Sequence, residues 1–327
     1  MELARGKYQG FNDHHLTEKL KEQEPIERSR EQVRRILRSH GISTRRKRRA
    51  AKHRSRRERR AAEGMMLQVD GSPHDWLEGR GPRLCLIGAI DDATGKVVGA
   101  FFTTQAESSW GYLRLFCEIF KRHGLRQSIY SDRHSVFWTD REPTVEEQLI
   151  NKRPLTEVGR ALDELGITLI LAGSPQAKGR IERLWGTFQD RLVSELRLVK
   201  AKTIEQAQAV LDRYLPEHTR KFSRPALAKA AWRKASAQQI EQALCFKERR
   251  TVANDNTVTF DGVIFQIPKN SPPRLDGSVQ FFYKQQKIAA FDSKTTHAFG
   301  LYRTKKREGF RYGPISNLST QDRQLSP

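Results

Sequence analysis

Apolar residues alternate at Ile167, Leu169 and Leu171 and then stop at Gly173-Ser174-Pro175. That pattern predicts a short strand closed by a turn. Beyond it, Ile181, Leu184, Trp185, Phe188, Leu192 and Leu196 recur at helical spacing and draw one apolar stripe. A long amphipathic helix follows from this, with Ser174 as N-cap and Pro175 as its first residue. Upstream, residues 65–105 read as a three-stranded meander: MMLQVD, RLCLIGAID and KVVGAFFTT, with turn chemistry at Asp92-Ala93-Thr94-Gly95. Trp110 to His123 reads as a helix with Leu113, Phe116 and Phe120 inward, ended by Gly124. SIYSD is a fourth strand, residues 138–153 a polar loop or insertion, Leu155 to Leu165 a second helix, and Thr168 to Leu171 the fifth strand. The order β-β-β-α-β-α-β-α predicts an α/β core, a mixed five-stranded sheet flanked by helices.

The flanks of this core read differently. Residues 12–42 are helical: Leu16 and Leu20 mark one short face, Glu24-Pro25 breaks it, and Ser29 with Gln32 forms a capping box ahead of Val33, Ile36 and Leu37. Two short helices, the second covered by Arg28, Arg30, Arg34, Arg35 and Arg38, point to a helix-turn-helix. Residues 203–247 read as helical, punctuated by Pro216 and Pro225. Residues 250–304 alternate as strands between Gly, Pro and Asn, the pattern of a small β-barrel. The expected division is therefore 1–44 helix-turn-helix-like region, 45–60 basic arm, 61–200 core, 201–247 helical linker, 248–305 barrel and 306–327 polar tail.

Charge narrows the partners. The chain of 327 residues carries a formal net charge of +22, an imbalance that fits a polyanion, nucleic acid above all. Residues 45–60, RRKRRAAKHRSRRERR, hold eleven Lys or Arg in sixteen positions. No core can be built from them, so Arg45, Arg46, Lys47, Arg48, Arg49 and their neighbours are expected to lie along phosphates. Three widely spaced cysteines match neither a zinc motif nor a disulfide framework, which points to a reducing cytoplasm. No run of about 18 apolar residues exists, so no membrane span is expected.

Three acids stand out in this basic chain. Asp70 ends the first predicted strand, Asp132 ends the fourth, and Glu182 rides the edge of the apolar stripe. In the predicted sheet the first and fourth strands are neighbours, and the long helix lays Glu182 beside them. Like charges so close raise each other's pKa, and a hard divalent cation resolves the conflict. Two ions about 3.5–4 Å apart suit an in-line displacement at phosphorus, with Asp70 bridging both, Asp132 completing one site and Glu182 the other. Any one of these acids alone reads as a turn or cap residue. Asp91 and Asp92 sit in a hairpin turn and are expected only to shape it, while His74 and His134 flank the acids as hydrogen-bonding groups. Gln176, Lys178, Arg180 and Arg183 surround Glu182 and are placed to touch DNA.

At these residues the chain resembles a family. LQVDGSPHDWLEGRGP, GAIDDATG, YSDRHS and SPQAKGRIERLWGTFQDRLVSELRL are similar to the integrase-type DDE transposases of bacterial insertion sequences, and the last string is closest to the ISNCY-type members. The resemblance covers roughly residues 8–300. It implies a ribonuclease-H-like core with Asp70, Asp132 and Glu182 as the DDE triad, Mg²⁺ or Mn²⁺ as two ions, and DNA as both element end and target. It further implies a homo-oligomer on DNA, no membrane, and a bacterial cytoplasmic protein at the nucleoid. The activity implied is hydrolytic release of a 3′-OH followed by transfer of that end, with no covalent enzyme intermediate. Relatives usually carry a further helix-turn-helix unit before GFNDHHL, so the chain is expected to start inside that region. Two other readings stand beside this one: a truncated or domesticated DNA-binding remnant, and a ribonuclease-H-like nuclease that cuts without joining.

Overall fold

The computed structural model describes residues 1–43, 57–149, 151, 153–173 and 178–247, together with the strands between 257 and 299. Gln176, Arg45, Arg46, Lys47, Arg48 and Arg49, and the polar tail lie outside the described residues. The long helix expected to open at Pro175 behind a Ser174 cap instead begins at Gly179, with Lys178 at its N-cap.

The meander forms as expected from β1 (Met66–His74), β2 (Leu84–Asp91) and β3 (Val97–Thr103). β1 and β2 pair antiparallel with Asp70 opposite Gly88, and β2 pairs antiparallel with β3. With β4 (Ser128–Ser131) and β5 (Thr168–Leu171) the sheet has the order β3-β2-β1-β4-β5. Thr168 N–H donates to the Gln127 carbonyl and Ala172 N–H to that of Ser131. Both bonds have the same offset (168 − 127 = 172 − 131 = 41), so β4 and β5 run parallel. A meander followed by parallel strands, with β1 central, is the ribonuclease-H-like arrangement. One detail differs from expectation: β1 does not end at Asp70 but runs on to His74. Gly71 to His74 pair with Ile87 back to Leu84, extending the ladder along a wholly buried stretch of β2. Asp70 is therefore a mid-strand residue.

The chain divides into two compact units. The first comprises Met1–Ser108, Ile129–Asp132 and Ile170–Ala231. Its core joins Trp76, Leu86 and Phe102 to Phe188 and Leu192 of α7 (Gly179–Leu198) and Leu211 of α8 (Ile204–Phe222). Pro216, expected to punctuate, lies inside α8. A proline inside a helix costs about 3 kcal/mol, and the burial of Leu211, Tyr214 and His218 around it works against that cost.

Three N-terminal helices belong to the same unit: α1 (Glu2–Arg5), α2 (Asp13–Gln23) and α3 (Arg30–Ser39). Asn12 caps α2 through the His15 N–H, and the Ser29–Gln32 capping box opens α3 as its sequence predicts. Tyr8, Leu16, Val33 and Leu37 make a small core of their own, with Leu198 of α7 packed against it. Ion pairs add to this contact: Arg191 of α7 meets Glu18 at 2.8 Å, and Glu195 takes both His15 at 2.7 Å and Lys19 at 2.8 Å.

His218 on α8 is buried among Phe188, Tyr214 and Phe222. Burial, assisted by the nearby Arg191 charge, pushes its imidazole from 6.5 down to about 4. The folded pKa lies below the unfolded one, so the stabilisation is complete above pH 6.5 and is lost as pH falls towards 4. At about 1.4 kcal/mol per unit, urea titrations should show a loss on the order of 3 kcal/mol over that window. His218→Phe should remove this contribution and flatten the curve. An unchanged pH profile in that variant would exclude His218 as its source.

The second unit comprises Ser109–Ser128, Arg133–Leu169 and Trp232–Pro327. Here α4 (Ser109–His123) packs with α6 (Glu157–Glu164) and α9 (Ala237–Ala243). Arg160 ties α6 to the Ala243 carbonyl, and Arg233 donates to the Leu165 carbonyl at 2.8 Å. The polar segment expected as a loop contains a short helix, α5 (Val145–Leu149). The stretch expected to be helical from 203 to 247 breaks between α8 and α9. Further on, β6 (Thr257–Phe260) pairs with β7 (Val263–Gln266). β8 (Ser278–Tyr283), β9 (Gln286–Asp292) and β10 (His297–Phe299) form a separate three-stranded sheet. Closure of the two sheets into the expected barrel lies outside the described residues. Among the described residues, no helix is long and apolar enough to cross a membrane.

Candidate active site

The site grows from the seam between β1 and α7. Alternate residues of a strand share a face, about 6.8 Å apart, and every fourth residue of a helix recurs after about 6.0 Å. These two repeats nearly match, and three side-chain bonds use the match. Gln68 accepts from the Ile181 N–H at 3.3 Å, Asp70 from Trp185 Nε1 at 3.0 Å, and Ser72 from Gln189 Nε2 at 3.2 Å. The first bond also completes a helix end. Lys178, at the N-cap, gives no side-chain cap, so the amide oxygen of Gln68 satisfies one of the free N–H groups of the first turn. Glycine at 88, opposite Asp70, makes room for the indole: a Cβ there would lie 2.9 Å from Trp185.

Asp70 and Asp132 come together through one atom. Lys178 Nζ lies 2.6 Å from Asp70 Oδ1 and 2.8 Å from Asp132 Oδ2. The Lys178 side chain is only 6% exposed, whereas Asp132 is 45% exposed and opens the pair to solvent. Burial raises the Asp70 carboxyl above its ordinary value, more than Lys178 and the Trp185 indole lower it. Burial works to lower the Lys178 ammonium, but Asp70 and Asp132 outweigh it and its pKa is raised. The cluster is thus two carboxylates, one of them reluctant to stay charged, held by a single positive charge.

Glu182 stands four residues after Lys178 on the first turns of α7, about 40° further round the helix. It is exposed, with no hydrogen bond or ion pair to the described residues. Among the described residues the one group of three acids with ligand atoms within 4.8 Å of one another is Glu18, Glu22 and Glu217. That group already surrounds Lys221. The structure therefore unites Asp70 with Asp132 and places Glu182 on the adjoining helix turn.

The donor set suits a hard divalent cation. Its oxygens are carboxylate, they come from β1 and from the residue that follows its neighbour β4, and they already share one cation. Asp132 offers a solvent-facing side for water and phosphate oxygens. The residues that could hold the ion are Asp70 and Asp132, which meet on Lys178.

Asp92 was expected only to shape a turn, and here the structure differs. Asp91 does that work, accepting from Thr94 N–H and Oγ1 and from Gly64 N–H. Asp92 is fully buried and collects Arg57, the Arg60 N–H at 2.8 Å, Gln68 Nε2 at 2.9 Å and Arg180 Nη1 at 2.8 Å. Burial raises its carboxyl, but Arg57, the Arg60 N–H and Arg180 outweigh it and hold it below the ordinary carboxylate value. Asp92 thereby anchors the end of the basic arm to α7, two residues from Glu182, and fixes the amide of Gln68. One signal was present in the sequence: an Asp-Asp pair where a turn needs one acid, in a chain with a large arginine excess.

The residues expected at DNA separate into two sets. Arg30, Arg34, Arg35 and Arg183 are exposed. Arg180, only 11% exposed, is committed to Asp92 and the Arg57 carbonyl, and Arg38 to Asp13 at 2.6 Å and the Ile42 carbonyl. Lys178 is committed to the acids.

No protein-family model matches the chain. It is 35% identical over 277 residues to a putative transposase, y4bF, of Sinorhizobium fredii, covering 84% of this chain and 59% of that protein. It is also 35% identical over 166 residues to the transposase for insertion sequence IS1202 of Streptococcus pneumoniae, covering 51% of this chain and 34% of that protein. The chain thus spans about three-fifths and one-third of the length of these two relatives. Among solved structures it is similar to a simian T-cell lymphotropic virus intasome at 12% identity and a TM-score of 0.42, covering 85% of this chain and 93% of that one. It is similar as well to the HTLV-2 integrase catalytic core in complex with magnesium at 16% identity and a TM-score of 0.33, covering 45% and 82%.

Proposed function

We propose that this chain, a relative of insertion-sequence transposases, catalyses metal-dependent cleavage and strand transfer of DNA, with Asp70, Asp132 and Glu182 as its acidic triad. The observation that carries the reading is the meeting of Asp70 and Asp132, 62 residues apart in sequence, on one cation at the centre of a ribonuclease-H-like sheet. When bound, Mg²⁺ or Mn²⁺, as two ions, activates the attacking oxygen and neutralises charge on the leaving 3′ oxygen. The protein's own part is positional. Trp185 and the β1–α7 ladder hold Asp70, and the solvent-facing side of Asp132 admits the phosphodiester. Glu182 closes the set from the N-terminal turn of α7, where the helix dipole favours phosphate. DNA is both element end and target, and joining two ends calls for an oligomer assembled on DNA. The place of work is the bacterial cytoplasm, at the nucleoid.

The test is a strand-transfer assay with pre-cut element ends, a supercoiled target plasmid and Mg²⁺, using the Glu182→Gln protein as control. Joined product from the wild type alone supports the reading. DNA binding without joining by either protein would overturn it in favour of a non-catalytic DNA-binding protein, and cutting without joining would overturn it in favour of a nuclease.

The arm supplies a separate prediction. Replacing Arg45, Arg46, Lys47, Arg48 and Arg49 by glutamine should weaken binding to all duplexes alike. It should also reduce the slope of log K against log salt by up to about 4.5, or about 0.9 per lost phosphate contact. An unchanged slope would remove these residues from the DNA interface.

A further inference from the structure

We propose that Lys178 is a built-in competitor for the metal: its ammonium occupies the position between Asp70 and Asp132 until DNA phosphates draw it away, so metal loading is coupled to substrate binding. The inference rests on the reading of Asp70 and Asp132 as metal ligands. Its basis is geometric. Nζ bridges one oxygen of each carboxylate, at 2.6 and 2.8 Å, which is the arrangement of a shared cation. The carboxylate oxygens that an ammonium holds are the same ones a divalent ion would need. Both cannot use those oxygens together at full strength.

Charge decides the direction of exchange. Two carboxylates and one ammonium leave a net −1, whereas two carboxylates and one divalent ion leave zero. The ion is favoured once the ammonium has another acceptor. Lysine suits such an exchange, because its four-carbon stem is flexible and its three donors have no fixed plane. The side chain is nearly buried, and so is insulated from bulk solvent while paired. Its backbone forms the N-cap of α7, the end at which a phosphate is expected to arrive. Phosphate oxygens at that end would take the ammonium and contribute metal ligands in the same event. The consequence is a chain that holds its metal weakly without DNA and tightly with it.

The experiment measures Mn²⁺ binding directly, by the loss of the free-ion electron paramagnetic resonance signal, on the full chain. Lys178→Met should bind Mn²⁺ at least about tenfold more tightly than wild type without DNA, and Lys178→Arg should stay near wild type. A short DNA duplex, corrected for the Mn²⁺ that the duplex binds alone, should tighten the wild type by about tenfold more than it tightens Lys178→Met, because phosphate ligands add to both proteins but only the wild type sheds a competing ammonium. The Asp70→Asn, Asp132→Asn double variant sets the background. Equal Mn²⁺ affinity of wild type and Lys178→Met, above that background, overturns the competition and leaves the metal site standing. Binding no better than background by both proteins overturns the competition and the proposed metal site together. Should Lys178→Met fail to fold, the wild-type titrations with and without duplex decide alone, and equal affinity in the two overturns the proposal.

Discussion

Asp70→Asn, Asp132→Asn and Glu182→Gln are each expected to lower the joining of pre-cut ends by at least about a thousandfold, with DNA binding close to wild type. Each substitution removes one negative charge and one of the oxygens proposed to bind metal, while keeping the side chain's size. The three should nevertheless differ in stability, because their surroundings differ. Glu182 is exposed and has no bond to lose among the described residues, so its amide variant should unfold at the wild-type urea midpoint. Asp70→Asn keeps an acceptor for the Trp185 indole but loses its charge pairing with Lys178. Asp132, nearly half exposed, should lie between them. Joining at the wild-type rate by any one variant would remove that residue from the proposed triad. Loss of DNA binding in parallel with joining would point to damaged folding, which the urea curves report separately.

Asp92→Ala should cost about 3–5 kcal/mol of stability, the usual price of leaving buried charges without their partner. Four groups depend on this carboxylate: Arg57, Arg180, the Arg60 N–H and the Gln68 amide. The loss should have a pH signature. The folded carboxyl is held below its ordinary value, so its contribution is present above the unfolded pKa and disappears as pH falls through the folded one. Wild type should therefore lose stability on acidification towards and below the ordinary carboxylate range, and Asp92→Ala should lose correspondingly less. The variant should also bind DNA with an altered salt slope, because the end of the arm is no longer tied to α7. A urea midpoint within error of wild type would show that the arginines find other partners and that Asp92 is no anchor.

Much of this molecule was readable without coordinates. The meander, the order of the five strands, the Ser29–Gln32 capping box and the apolar stripe of α7 all follow from local spacing. Period-two and three-to-four-residue repeats specify which face is buried, whatever the partner turns out to be. The three acids were also legible as candidates, because a strongly basic chain places them beside apolar strands and on a packed helix. Boundaries were less secure. β1 outran Asp70 because its pairing with a buried stretch of β2 outweighed the local turn chemistry of Gly71 and Pro73. α8 carried Pro216 because tertiary burial worked against a local penalty.

What only the tertiary structure decided is the network of partners. That Lys178 faces Asp70 and Asp132 in place of solvent, that Arg180 is spent on Asp92, and that Gln68 caps α7 are contacts between residues roughly 46 to 113 positions apart. No periodicity encodes such pairs. They arise because packing α7 against β1 takes charged groups out of water, where a buried charge without a partner costs far more than any local preference can repay. The sequence by itself determined which elements form and which acids stand near the end of the long helix. The packed sheet determined which cation each acid meets.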